Sequence, residues 1–246
     1  MIDLHAHILP GLDDGARNWA EALDMARLAV ADGIRVMVAT PHLFPHRITS
    51  GEEILAKEKI LETLIHFKQK LRQAEIALEI LPGCDVPLCA ELEEYLEEER
   101  VLTINDGKRY LLLELPDTAL PPAIEEFCFR LISRGLTPIL THPERHFLLQ
   151  QTPEKLARLI HLGCLAQVTA QSLLGGFGRR AARASQQMIR AGYVQVIASD
   201  AHNTHSRPPL LQAALQKAAV LIGAERAGAM VTTIPEKIVR GEPCLN

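Results

Sequence analysis

Histidines and carboxylates recur in this sequence at the places a metal centre would need them. The N-terminal segment carries His5, His7, Asp13 and Asp14, and further along come His42, Asp85, Glu114, His142, Asp200 and His202. His5 and His7 are alternate residues of an extended segment, so both side chains leave the same face and can grip one ion together. Asp200 and His202 repeat that spacing. A single histidine or aspartate beside a strand is more often a turn or capping residue than a ligand. Gathered at the ends of successive strands, the set is better explained as a site. By contrast His66 and His161 fall inside helical patterns and read as surface or packing residues. Imidazoles and carboxylates in this number, with no thiolate, exceed what one tetrahedral zinc ion takes and predict two or three ions. Manganese, iron and zinc all suit such mixed donors. Clusters with ions roughly 3.5 to 4 Å apart recur in phosphate-ester cleavage, because they clamp substrate oxygens and lower the pKa of water. That chemistry also needs cations for the remaining phosphate oxygens, preferably arginines, whose planar fork matches them. Arg145 lies three residues after His142, and Arg207 five after His202. Hydrolysis of a phosphoester is the leading expectation.

The elements that must position these groups follow from hydrophobic patterning. Seven short β-prone runs alternate with longer segments of helical periodicity: Ile2 to Ala6, Ile34 to Thr40, Ala77 to Leu81, Tyr110 to Leu115, Thr137 to Thr141, Leu165 to Thr169 and Val194 to Ser199. Alternation of this kind predicts parallel strands joined by crossover helices, hence an α/β fold. The candidate ligands lie at or just beyond the carboxyl ends of the runs, where such folds build their sites. Only the sixth run lacks one, offering Thr169 and Gln171 instead. Asn18 can cap a helix that stops at Gly33, Ser50 with Glu53 forms a capping box, and Thr152-Pro153 opens a helix closed by Gly163. Gly135 and Gly192 mark two further helix-to-strand turns. Asn105-Asp106-Gly107, between apolar runs, predicts a hairpin. A closed barrel and an open doubly wound sheet would share this alternation.

Composition excludes several classes. With 48% hydrophobic and 23% charged residues, the 246-residue chain predicts one globular domain, residues 1–246, with no disordered tract. No apolar run is long enough to span a bilayer, and no basic segment followed by an apolar core marks a secretory signal, so a cytoplasmic, non-membrane protein is expected. Five scattered cysteines without a CxxC pair suit a reducing compartment. A net charge of -4 without a basic, aromatic-studded stripe argues against nucleic acid as a partner.

The segment His5-Ala6-His7-Ile8-Leu9-Pro10-Gly11-Leu12-Asp13-Asp14-Gly15 resembles the polymerase and histidinol phosphatase superfamily. More closely, the chain resembles the bacterial manganese-dependent protein-tyrosine phosphatases encoded with capsule and exopolysaccharide genes. The resemblance runs on through Ala39-Thr40-Pro41-His42, Thr141-His142-Pro143-Glu144-Arg145, Thr169 to Leu173, Ser199-Asp200-Ala201-His202-Asn203 and Ser206-Arg207-Pro208-Pro209. It implies a distorted seven-stranded, TIM-like (β/α)7 barrel with a trinuclear manganese site. The implied ligands are His5, His7, Asp14, His42, Glu114, His142, Asp200 and His202, with Arg145 and Arg207 binding phosphate. After the third strand such proteins usually carry a bridging glutamate two residues beyond a glycine, and here Gly83-Cys84-Asp85 offers the shorter aspartate. The implied substrate is phosphotyrosine on a tyrosine autokinase that controls polysaccharide polymerisation and export. The residues alone specify a phosphoester and no particular leaving group.

Several features compete with this reading. Cys128 and Arg134 have the Cys-x5-Arg spacing of cysteine-dependent tyrosine phosphatases, but they lie in an amphipathic helical pattern, where no phosphate-wrapping loop is possible. Gly175-Gly176-Phe177-Gly178 lacks the setting of a dinucleotide fingerprint and reads as a lid loop beside the site. Glu91 to Glu99 reads as a solvated helix face. A small-molecule phosphatase of the histidinol-phosphate type is the nearest alternative function. A non-catalytic metal-binding regulator of a kinase is another, disfavoured because docking alone needs no paired arginines beside the metals.

Overall fold

The computed structural model describes residues 1–44, 55–116 and 119–244. Its strands are β1 (Ile2–Ala6), β2 (Val36–Ala39), β3 (Glu79–Pro82), β4 (Asp85–Pro87), β5 (Tyr110–Glu114), β6 (Thr137–Thr141), β7 (Leu165–Thr169) and β8 (Val196–Ala198). All pairings are parallel, in one sheet ordered β1-β2-β3 and another ordered β4-β5-β6-β7-β8. The third β-prone run, Ala77 to Leu81, is displaced to Glu79–Pro82, and a short strand that was not expected, Asp85–Pro87, follows it. β3 pairs with β2, and β4, which lies beyond the expected run, pairs with β5; Gly83-Cys84 lies between them, so residues 79–87 pass from one sheet to the other. Gly83 is needed there, because a Cβ would lie 2.7 Å from Val38 Cγ1. At the other edge Ala6 bridges Ala201, and a second isolated bridge joins His42 to Asp85.

The helices are α1 (Trp19–Ala31), α2 (Lys57–Gln73), α3 (Leu92–Glu97), α4 (Ile124–Ser133), α5 (Phe147–Gln151), α6 (Pro153–His161), α7 (Ala170–Leu174), α8 (Gly178–Arg190), α9 (Gln212–Ile222), α10 (Ala224–Ala229) and α11 (Thr233–Val239). Asn18 caps α1 as expected, its side chain accepting from the Glu21 amide at 3.0 Å. Pro153 opens α6 and Gly163 follows its end. The Ser50–Glu53 capping box lies outside the described residues. The expected hairpin does not form: Ile104–Asp106 is a single 3-10 turn, and Tyr110–Glu114 enters the sheet parallel to both neighbours. Asn105 and Asp106 do adopt positive φ, 54° and 49°, so the turn signal was real but closes no antiparallel pair. Among the described residues no helix is long and apolar enough to cross a membrane.

Two apolar clusters hold the fold. The larger packs helices against the strands. The smaller takes Leu4, Val38, Leu81, Leu112, Ile139, Leu165, Val196 and Ala198 from the opposite strand face, with Ile104 and Ile238. Strand side chains alternate between faces, so residues two beyond these apolar positions continue the same face toward the carboxyl ends. Glu114, Gln167 and Asp200 occupy such positions. In β1 the register shifts between Asp3 and Ala6, so Leu4 joins the smaller cluster while the adjacent His5 still turns to the polar site above it. Re-aiming a side chain is a characteristic effect of such irregularities.

Candidate metal centre

Nine expected ligand residues converge. His7, Asp14, His42 and His202 offer ligand atoms within 4.8 Å of one another, as do His5, His7 and Asp200, and His42, Asp85 and Glu114. His142 joins through Nε2, 3.4 Å from Glu114 Oε1. Every one except Asp14 and Glu114 is buried. His142 and Asp200 adopt left-handed φ values of 37° and 53°. Backbone strain of this kind is held by its surroundings and clusters at functional sites.

The far ring nitrogens are held by acceptors. His5 Nδ1 lies 3.0 Å from Gln167 Oε1, His7 Nδ1 2.6 Å from Asp13 Oδ2, and His202 Nδ1 3.0 Å from the Asp200 carbonyl. Each Nδ1 therefore donates, and a neutral ring keeps its lone pair on Nε2. Those lone pairs converge. His5 Nε2 and His7 Nε2 are 3.1 Å apart, and His202 Nε2 faces Asp14 Oδ1 at 3.4 Å. Lone pairs so placed repel unless a proton or a metal cation lies between them. Burial opposes charge on His7, but Asp13 and Asp200 outweigh it and raise its pKa to about 10. Burial lowers His5, and lowers His202 to about 4. Burial and then Arg145 hold His142 well below the ordinary imidazole range. Burial works to raise Asp85 and Asp200, yet His5, with His42 for the former and Arg145 for the latter, holds both below the usual carboxylate range. Asp85 is fully buried, and among the described residues neither carboxylate oxygen is in a hydrogen bond, its Oδ2 facing His42 Nδ1 at 3.2 Å and His5 Nε2 at 3.6 Å. Buried anionic oxygens and converging imidazole lone pairs fit divalent cations.

Asp13 is not gathered with the ligand atoms: it orients His7 and accepts from the amides of His42 at 2.9 Å and Gly15 at 3.0 Å. Asp14 instead points at His42 and His202. Gly15 allows the loop to fold back, since a Cβ would fall 2.1 Å from the His7 carbonyl oxygen. Arg145 Nη2 and Arg207 Nη2 each lie 2.6 Å from an Asp200 oxygen, and among the described residues the Nε of each has no acceptor. Both guanidinium groups also cover the Phe177 ring, at 4.7 and 5.7 Å from its centroid. The Gly175–Gly178 loop thus sits beside the site, joining α7 to α8.

Sequence reasoning missed Gln167, Asp3 and Glu144. Gln167 shares its strand face with Leu165 and Thr169, and that alternation was the available signal. Asp3 accepts from the Ser199 amide and hydroxyl and steadies the turn before Asp200, while buried Glu144 accepts from the Thr169 amide at 3.0 Å. Cys128 is fully buried in α4, a helix without a phosphate loop. Glu91 to Glu99 forms α3 and its flanks, with Glu93 and Glu97 paired to Arg130 and Arg134.

The family model for capsular polysaccharide synthesis, CpsB/CapC, matches residues 1–240. The tyrosine-protein phosphatase YwqE of Bacillus subtilis (strain 168) is 36% identical over 207 residues, covering 84% of this chain and 79% of that protein. The tyrosine-protein phosphatase CpsB of Streptococcus pneumoniae is 28% identical over 244 residues, 97% and 98% of the two chains. Among solved structures, a chain from the crystal structures of YwqE from Bacillus subtilis and CpsB from Streptococcus pneumoniae, called there unique metal-dependent tyrosine phosphatases, superposes with a TM-score of 0.93 at 33% identity. That match covers 100% of this chain and 96% of the other.

Proposed function

The chain belongs to the capsular polysaccharide synthesis family CpsB/CapC, and from this premise we propose that residues 1–246 form one metal-dependent protein-tyrosine phosphatase domain. Its substrate in this reading is a phosphotyrosine-bearing protein, a tyrosine autokinase of capsular or exopolysaccharide synthesis, met in the cytoplasm. The observation that carries the proposal is the convergence of three ligand groups beside two arginines on one carboxylate. The fold reads as a distorted seven-stranded barrel, β3 and β4 being one interrupted strand, and the Ala6–Ala201 and His42–Asp85 bridges support closure.

His5, His7, Asp14, His42, Asp85, Glu114, His142, Asp200 and His202 would hold the ions, manganese first, with iron or zinc as alternatives. Two or three such ions, when bound, supply charge stabilisation at phosphoryl oxygens and lower the pKa of water. Asp13 and Gln167 fix the His7 and His5 rings with Nε2 directed inward. Arg145 and Arg207 bind phosphate: the Nη2 donors now on Asp200 and the unpartnered Nε groups can engage its oxygens as planar forks. Phe177, under both guanidinium groups, supplies an aromatic surface beside the place where a phosphotyrosyl ring would enter.

The deciding assay compares metal-reconstituted protein on phosphotyrosine peptide, phosphoserine peptide and histidinol phosphate. Turnover should favour phosphotyrosine, and a preference for histidinol phosphate would replace this reading with the small-molecule one.

A further inference from the structure

A groove of about 400 Å³ lies between α5 and α8, lined by Phe147, Gln150, Arg179, Arg180, Arg183 and Gln187. All three arginines are exposed, and none pairs with a carboxylate among the described residues. Five arginines elsewhere are paired, Arg17 with Glu21, Arg27 with Asp24, Arg130 with Glu93, Arg134 with Glu97 and Arg240 with Glu236, whereas here three without a carboxylate partner line one groove. In a chain of net charge -4, carboxylates are in surplus, yet among the described residues none lines this groove. The three cations also crowd the first turns of a 13-residue helix that has no acidic residue in its first turn. Positive charge there opposes the helix dipole, so the local charge is uncompensated twice over.

The groove adjoins the candidate metal centre along two stretches of backbone. Phe147 follows Arg145 by two residues, and Arg179 follows Phe177 by two, and two residues span at most about 7 Å. A peptide whose phosphotyrosine reaches Arg145 and Arg207 would therefore lay its neighbouring residues along the groove. Resting on the phosphatase reading above, we propose that the Arg179–Arg180–Arg183 groove docks acidic side chains flanking the phosphotyrosine of the protein substrate. Guanidinium groups would meet Asp or Glu carboxylates there, while half-exposed Phe147 packs against the peptide's apolar atoms. Selection of substrate is then shared between the phosphate site and a sequence-reading surface one or two residues away from it.

Two phosphotyrosine peptides, one flanked by glutamates and one by serines, test this against p-nitrophenyl phosphate as a flank-free substrate. The wild type should show kcat/KM on the order of fivefold to tenfold higher for the acidic peptide, as two or three partly exposed ion pairs would give. Added salt should shrink the difference. Arg179→Ala/Arg183→Ala should erase the preference and leave turnover of p-nitrophenyl phosphate unchanged. Equal rates on both peptides in the wild type, or an undiminished preference in the double variant, would overturn the proposal. Anisotropy with a labelled, unphosphorylated glutamate peptide reads docking without turnover. If no phosphotyrosine substrate is hydrolysed, the phosphatase reading fails, and the groove is still decided by whether this peptide binds the wild type and not the double variant.

Discussion

Asp85 directs one oxygen at both His5 and His42, so its removal leaves the imidazoles of two ligand groups without their shared anion. Asp85→Ala should lose at least one ion by elemental analysis and most turnover, whereas Asp85→Glu should retain both; unchanged metal content in the alanine variant would reduce Asp85 to a structural carboxylate. Gln167 acts one step further out. It fixes which His5 nitrogen faces inward, and partners of this kind are worth about 10- to 100-fold in metal affinity. Gln167→Ala should therefore weaken metal binding by that factor in a chelator competition, and an unaltered affinity would show that packing alone orients the ring. Cys128, fully buried in α4, cannot meet substrate. Exhaustive chelation should abolish activity while Cys128→Ser keeps its turnover per folded molecule; the reverse pattern would point to thiol chemistry.

At the scale of elements, the loop from His7 to Ala16 shows how tightly backbone and site are joined. Because a Cβ at Gly15 would strike the His7 carbonyl, Gly15→Ala should cost about 2 kcal/mol and displace Asp13 and Asp14 together, lowering both melting temperature and metal affinity. Asn18→Ala, only a few residues on, should cost about 1 kcal/mol through the lost α1 cap and leave metal affinity alone. Equal effects of the two on metal binding would deny the Gly15 loop its special role. Such element-level features differed in legibility. β1, β6 and β7 were readable to the residue, the last two because apolar runs preceded by the helix-ending glycines Gly135 and Gly163 leave little freedom. The residues of the candidate site were readable because most of them stand at or just beyond a strand's carboxyl end. The split at Gly83-Cys84 was not, since it depends on which neighbours the two halves meet rather than on local propensity. Asn105-Asp106-Gly107 misled because positive φ serves an isolated 3-10 turn as well as a hairpin. Gln167 escaped notice because an uncharged amide inside an apolar strand carries no charge signal.

For the whole molecule, the decisive feature is that the proposed ligands come from both sheets. His5, His7 and His42 belong to the three-stranded sheet and its loops, and Asp85, Glu114, His142, Asp200 and His202 to the five-stranded one. Among the described residues few backbone hydrogen bonds cross the seam: His7 N to Ala201 O, Asp200 N to His5 O, Leu43 N to Asp85 O and Asp85 N to Pro41 O, at 2.8 to 3.0 Å. Metal loading should slow hydrogen exchange at these four amides more than in α1 or α8, and raise the melting temperature. Exchange rates indifferent to metal would mean that the sheets need no bridging ions. The same pairing of β1 with the segment after β8 imposes an order on biosynthesis. β1 leaves the ribosome first, but its partner at residues 200–201 follows roughly 10 to 40 s later at ordinary elongation rates. Throughout that interval the nascent chain presents a strand with one bare edge and half of the proposed metal site, a state that invites wrong pairing and that a chaperone would have reason to cover.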